Sequence, residues 1–210
     1  MTLRMGLLFI LATLAFSFVA VPALAAPGST DPTVNRQLAA VRAATAKYHD
    51  PAAALADGYL PTEFFVASPN GGMGMHYVNP SRVGKLDPLR PDVLLYEPTP
   101  GGPRLVAVEY LQFASVQLPE SADWTLWFLQ DPPPKGSTFA PAPSLFGQHF
   151  DGPMPGHEPG MSWHYDLHVW LWQANPDGVF HVEPERALPE LASEQISLPI
   201  AQRLPALKAT

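Results

Sequence analysis

Histidine is concentrated in one part of this chain. Five of its seven histidines lie between residues 149 and 181, and the chain contains no cysteine. Imidazole is a common ligand of zinc, copper, iron and nickel, and a cysteine-free protein builds such sites from histidine and carboxylate side chains. The clustering therefore favours a site for a divalent transition metal. The five residues are His149, His157, His164, His168 and His181.

The segment WHYDLHVWLW, residues 163–172, has the alternation of a β-strand. In a strand, side chains two apart share a face, so His164, Asp166 and His168 point the same way. The two histidines would then be about 13 Å apart, too far to bind one ion. We therefore expect His168 to combine with residues of neighbouring strands. His164 is a candidate further ligand, and Asp166 is a ligand or the carboxylate that orients an imidazole.

Two polar residues in other strand-like segments could complete this site. Glu109 lies in the apolar run LVAVEYL, where an ionised carboxylate needs a metal, a histidine or an arginine as partner. His76 lies in GMHYVN, a short segment whose glycine allows close approach of the backbone. The residue types leave the metal open between zinc, copper and iron, and its role open between catalysis and sequestration. The predicted metal ligands are His76, Glu109, His168 and His164.

Two other interpretations of the same segments involve no metal. In one, the protein is a binding module with an aromatic groove for a small-molecule ligand. In the other, it is a structural envelope protein whose polar strand face is wet surface. Independently of these interpretations, we expect His149 and His157 to be exposed residues of a Gly/Pro-rich loop and His181 to be a surface residue. The groove would be lined by Tyr77, Tyr110, Trp170 and Trp172.

The motifs of several enzyme classes are missing from the sequence. A Pro-Gly pair follows His157 and Glu158, which excludes the helical zinc-protease motif because no second histidine follows one turn later. The glycine-rich stretch 71–74 lacks the lysine and hydroxyl residue of a phosphate-binding loop. No serine lies in a Gly-x-Ser-x-Gly elbow, which disfavours an α/β-hydrolase.

The regular elements form an α+β pattern. Apolar residues at helical spacing predict a helix over 33–48, and an Asp-Pro start with a glycine stop predicts a second over 52–57. We expect this helical pair to precede a small, mostly antiparallel sheet, because the 26 prolines favour long Pro/Gly loops. The predicted strands cover residues 73–79, 93–96, 104–113 and 163–172.

The N-terminal residues have the pattern of a secretory signal peptide, with Arg4, an apolar run and small residues before a cleavage site after Ala25. We therefore expect a secreted or periplasmic protein with no membrane span after cleavage. The prediction assigns 1–25 to the signal peptide, 26–190 to one globular domain and 191–210 to a weakly defined tail. The net charge of −7 and the lack of a basic run disfavour nucleic acid as a partner.

Five segments together resemble a group of uncharacterised exported bacterial proteins. They are GGMGMHYVN, VEY, GHEPGM, HYDLHVWLW and NPDGVF, and the likeness covers roughly residues 41–184. The chain departs from the group after Phe180, where HVEP stands in place of an apolar residue and an Asn-Pro pair. The resemblance implies export and a common site region, and it implies no particular reaction.

Overall fold

The computed structural model describes residues 29–68, 71–157, 160–175 and 178–180. The predicted signal peptide, the predicted tail and His181 lie outside these described residues. Among the helices of the described ranges, none is long and apolar enough to cross a membrane.

Two short α-helices joined by a 3-10 helix open the described chain. Asp31 caps α1 (Pro32–Thr45) by accepting a backbone N–H two residues later at 2.7 Å, and Asp50 caps α2 in the same way at 2.9 Å. The 3-10 helix covers Ala46–His49, and α2 covers Pro51–Ala56. The helical pair is therefore present, with the last turn of the first predicted helix tightened to 3-10 geometry.

The rest of the described chain is mostly antiparallel sheet, which gives an α+β arrangement. The strands are β1 (Leu60–Ser68), β2 (Gly71–Val78), β3 (Val93–Glu97), β4 (Arg104–Phe113), β5 (Ser115–Gln117), β6 (Trp124–Leu126), β7 (Thr138–Phe139), β8 (Ser144–Leu145), β9 (Gln148–His149), β10 (Asp151–Met154) and β11 (His164–Val169). The main sheet has six of them in the order β1-β2-β3-β4-β11-β10, and every neighbouring pair is antiparallel. Two smaller sheets, β6-β5-β7 and β8-β9, lie between β4 and β10 along the chain.

The predicted strands correspond to β2, β3, β4 and β11, but the last of them is shorter than expected. The strand ends at Val169, so Trp170 and Trp172 lie beyond it. Strand β1, which pairs with β2, was not expected at all, since a proline stands near its start and its pattern is irregular. Two shifts of register in the pairing of β1 with β2 accompany this irregularity.

The main sheet has a different environment on each face. Helix α1 packs Leu38 and Val41 into the larger hydrophobic cluster, which includes Tyr110 and Leu167 of the sheet. A smaller cluster contains Val93, Leu95, Val106, Ala107 and Trp170. Residues that lie opposite each other in neighbouring strands share a face, so Glu109 lies on the face of its partners Val93 and His168. The polar residues therefore lie on the side of the smaller cluster.

Candidate metal centre

Three strands contribute one side chain each to a buried cluster, which we call the inner group: His76 of β2, Glu109 of β4 and His168 of β11. Their possible ligand atoms all lie within 4.8 Å of one another. Oε2 of Glu109 is 3.4 Å from Nε2 of His76 and 3.8 Å from Nε2 of His168. The exposed fractions are 7% for His76, 2% for Glu109 and 0% for His168. The inner group is therefore almost entirely shielded from water.

The sheet register explains how these residues meet. Glu109 lies directly opposite His168 on the neighbouring strand β11. His76 lies two strands from Glu109, because β3 separates β2 from β4. The residue opposite His76 on β3 is Leu95, and the residue opposite Glu109 is Val93. The imidazole and the carboxylate thus meet above the apolar side chains of β3.

The polar atoms of the inner group lack hydrogen-bond partners within the part of the chain that the structure describes. This holds for both ring nitrogens of His76 and of His168 and for Oε2 of Glu109. Buried polar atoms without partners are costly, by about 1–3 kcal/mol each. The 3.4 Å and 3.8 Å separations exceed a good hydrogen bond. Two ligand atoms of one tetrahedral ion, each about 2.0–2.1 Å from it, lie about 3.4 Å apart. The separations in the inner group are close to this ligand spacing.

Burial sets the protonation states of the inner group. It raises the pKa of Glu109 well above its ordinary value, and the nearby carboxylates of Asp166 and Asp92 raise it further. Burial lowers the pKa of His76 to about 3, with the imidazole of His168 adding to the effect. Burial also lowers the pKa of His168. Both imidazoles are therefore neutral, which is the form that binds a metal ion.

A second cluster, which we call the outer group, consists of His157, His164 and Asp166. Its possible ligand atoms also lie within 4.8 Å of one another. Nε2 of His164 is 3.7 Å from Oδ2 of Asp166, and the rings of His157 and His164 are 4.8 Å apart in edge contact. His164 and Asp166 are buried, whereas His157 is exposed. The outer group therefore extends from the sheet to the surface.

Asp166 connects the two groups. Its Oδ1 lies 3.7 Å from Nδ1 of His168, while its Oδ2 faces His164. Burial acts to raise the pKa of Asp166, but the neighbouring His168 and His164 outweigh it and lower this pKa. Although the side chain of His157 is exposed in part, desolvation of its ring against the sheet lowers its pKa, and so does His164. The outer group thus holds a buried carboxylate, with a lowered pKa, beside the ring of His164.

The structure brings together three of the four residues predicted as ligands of one ion, namely His76, Glu109 and His168. The fourth, His164, lies in the outer group, because the rise of strand β11 carries it away from His168. His157 is exposed, as expected for its loop, yet it contacts His164. Its place in the outer group was missed because a loop has no periodicity from which the direction of a side chain follows. His149, on β9, is also exposed.

The aromatic groove is not formed by the four residues expected to line it. Tyr77 and Tyr110 are buried in the larger hydrophobic cluster, and Trp170 is buried in the smaller one. Trp172 is partly buried against the ring of His49, at 4.3 Å between ring centroids. These side chains therefore share no surface on which a ligand could stack, and this expectation was wrong.

The polar strand face is not wet surface either. Strand β11 is buried along its whole length, with exposed fractions of 0% for His164, 1% for Asp166 and 0% for His168.

Among known proteins, no family model, no curated protein and no solved structure matches the chain. The function is therefore inferred from the geometry and charge of the two groups.

Proposed function

We propose that the protein is an exported metal-binding protein whose inner group holds one divalent transition-metal ion. The observation that carries this proposal is the convergence of His76, Glu109 and His168 from three strands. Their buried ligand atoms lie within 4.8 Å of one another, and several of these atoms have no hydrogen-bond partner in the described chain. A metal ion bound to one ligand atom of each residue would give all three of these atoms a partner.

The charges of the inner group favour a cation over a network of hydrogen bonds. The two histidines are neutral, and each offers a ring nitrogen that can accept a metal. Glu109 would lose its proton on binding, and its carboxylate would offset part of the charge of the ion. Two imidazoles and one carboxylate suit zinc, copper or iron, so this ligand set does not select among these metals.

The burial of the inner group favours retention of the ion over turnover. A catalytic metal needs an open coordination position that a substrate can reach. The three residues are at most 7% exposed, which leaves little access for a substrate. We therefore propose that the inner ion stabilises the fold or is held in store, because its binding free energy adds to the free energy of folding.

Export is the second component of the proposal. It is supported by the charged start, the apolar run and the small residues before Ala26 in the sequence, and by the resemblance to exported proteins. An exported chain without cysteine has no disulfides to stabilise it, so a bound metal would supply a comparable constraint.

The test of the proposed function is a comparison of three variants after treatment with chelator. His76→Ala and His168→Asn each remove an inner ligand, whereas His149→Ala removes an exposed histidine outside both groups. We expect wild type and His149→Ala to gain thermal stability on adding zinc through the inner group, and the inner-group variants to lose that gain. An equal response of all four proteins to zinc would overturn the proposal. Circular dichroism of each metal-free protein checks that it is folded.

A further inference from the structure

We propose that the outer group is a second metal site, and that Asp166 couples it to the inner one. The inference rests on the proposed function, because it adds a solvent-facing ion beside the inner ion. It assigns His157, His164 and Asp166 as ligands. Two imidazoles and a carboxylate repeat the ligand set of the inner group, so the same class of divalent transition metal fits both.

The buried part of the outer group has the features of a ligand set. Both ring nitrogens of His164 and both carboxylate oxygens of Asp166 lack hydrogen-bond partners among the described residues. Nε2 of His164 lies 3.7 Å from Oδ2 of Asp166, beyond a good hydrogen bond. This separation is close to the spacing of two ligands around one ion, about 3.4 Å. An ion between them would satisfy atoms that are otherwise costly to bury.

Asp166 has one oxygen for each site. Oδ2 faces His164, and Oδ1 lies 3.7 Å from Nδ1 of His168. When Nε2 of His168 binds the inner ion, Nδ1 carries the proton and points at Asp166. A carboxylate in this position fixes the tautomer and orientation of the metal-binding imidazole. Asp166 would thus serve as a ligand of the outer ion and as the orienting partner of an inner ligand.

The loop that carries His157 is held in place by two contacts. The side chain of Gln130 donates a hydrogen bond to the carbonyl oxygen of Gly156 at 2.9 Å. A Cβ atom on Gly156 would lie 2.2 Å from the carbonyl oxygen of Met161, so only glycine fits without a shift of the backbone. The close packing of these backbones sets His157 over the ring of His164, at 4.8 Å.

The two sites differ in access to water, and this predicts the order of filling. The inner group is buried, whereas the outer group has the exposed His157 at its edge. The second ion enters beside an existing positive charge, so it binds more weakly than the first. We therefore infer that the outer ion is the exchangeable one and that the inner ion is retained.

The experiment is a zinc titration of the chelator-treated full-length mature protein, followed by calorimetry and by metal analysis after dialysis. Wild type should bind about two equivalents in a tight step and a weaker step. His157→Ala, an exposed substitution, should keep the tight step and lose the weak one. His149→Ala is the matched control, because it removes an exposed histidine outside both groups, and it should bind as wild type.

The outcomes separate this inference from the proposed function. A single tight step in wild type that survives His157→Ala and is lost in His76→Ala would overturn the outer site and leave the inner one. Two steps that both survive His157→Ala would overturn the assignment of the outer ligands. If wild type binds neither zinc nor, in the same titration, copper or iron, both proposals fail.

Discussion

His168 and Glu109 lie directly opposite each other on antiparallel strands β11 and β4, with Nε2 of the histidine 3.8 Å from Oε2 of the glutamate. Cross-strand neighbours of this kind interact through their side chains. Here the two atoms are too far apart for a good hydrogen bond. The pair is instead placed to bind a metal ion, with the ring of His76, which reaches over β3, as the third ligand.

The first prediction concerns the charge of the inner carboxylate. Glu109→Gln keeps the shape of the side chain but removes the anionic ligand. Loss of a group that only orients a ligand already costs about 10–100-fold in affinity, so we expect zinc affinity at the inner site to fall by more than about 100-fold. Stability without metal should stay within about 1 kcal/mol of wild type, because an amide replaces a protonated carboxyl group. Calorimetry and chemical denaturation measure the two quantities.

The matched control for this substitution is Glu97→Gln at the end of β3. Glu97 pairs with the exposed Arg104 and lies outside both groups. The Glu97→Gln substitution should leave zinc binding unchanged. Zinc affinity of Glu109→Gln equal to that of the control would contradict the role of Glu109 as a ligand.

The second prediction is that metal uptake releases a proton. Burial raises the pKa of Glu109 well above its usual range, so this carboxyl group holds a proton that the metal must displace. Burial lowers the pKa of His76 to about 3, so this imidazole has none to release near neutral pH. Affinity should therefore decrease as the pH falls, with about one proton released per inner ion. Calorimetry in buffers of different ionisation enthalpy measures the proton count, and release of none would contradict the prediction.

The third prediction concerns the stability of the metal-free protein in acid. The pKa of His76 is lower in the folded than in the unfolded protein, so the unfolded state binds more protons and stability falls as the pH drops below about 6.5. The raised pKa of Glu109 has the opposite effect, since its contribution falls as the pH rises above about 4.5.

These two contributions cancel in part between about pH 4.5 and pH 6.5 in wild type. Glu109→Gln removes the opposing one, so its stability should fall more steeply on acidification, by up to about 1.4 kcal/mol per pH unit. Urea denaturation at a series of pH values measures both slopes. Equal slopes in wild type and in the variant would show that the two groups do not titrate as described.

The fourth prediction separates the helical layer from the metal centre. Leu38 of α1 is 3% exposed and packs into the larger hydrophobic cluster. Leu38→Ala should lower the free energy of unfolding by about 2–4 kcal/mol through the lost contacts and the cavity. The number of zinc ions bound should not change while the variant is folded, because the ligands lie on the face of the smaller cluster. A loss of zinc binding in the folded variant would mean that α1 takes part in the site.

The fifth prediction concerns the loop before β11. Gly156→Ala places a Cβ atom 2.2 Å from the carbonyl oxygen of Met161, so the loop must move and His157 with it. We expect the weak zinc step to be lost and the tight step to remain. Gly101→Ala, in the turn between β3 and β4, is the control, because its Cβ atom would have its nearest neighbour at 3.8 Å. Unchanged weak binding in Gly156→Ala would remove the link between this loop and the outer site.

The sequence predicted the bounds of β4 best, whereas the alternating segment 163–172 was predicted to be longer than strand β11. Strand β4 covers the expected residues 104–113, because its run of apolar residues is long and contains few polar residues. The inner group was predictable for a related reason, since His76, Glu109 and His168 are polar residues in segments that are otherwise apolar. Strand β1 was missed because its proline and its register shift obscure the pattern.

The errors in the predicted site have physical causes as well. Parity excludes the aromatic groove, because Tyr77 follows His76 and Tyr110 follows Glu109, so both tyrosines point away from the ligand face. Trp170 lies two residues after His168, on the same face as the ligands, and so on the opposite side of the sheet from the two tyrosines. The contact of His157 with His164 depends on how a loop folds back over β11, and no local pattern encodes that path.

The central claim is that the inner group binds a transition metal, and elemental analysis tests it most directly. The mature protein would be purified without a histidine tag and analysed by mass spectrometry before and after dialysis against chelator. We expect at least about one equivalent of zinc, copper or iron, lost on dialysis together with about 5–10 °C of melting temperature for an ion present at about 100 times its Kd. No bound metal, and no change in melting temperature on adding any of the three ions, would contradict the account.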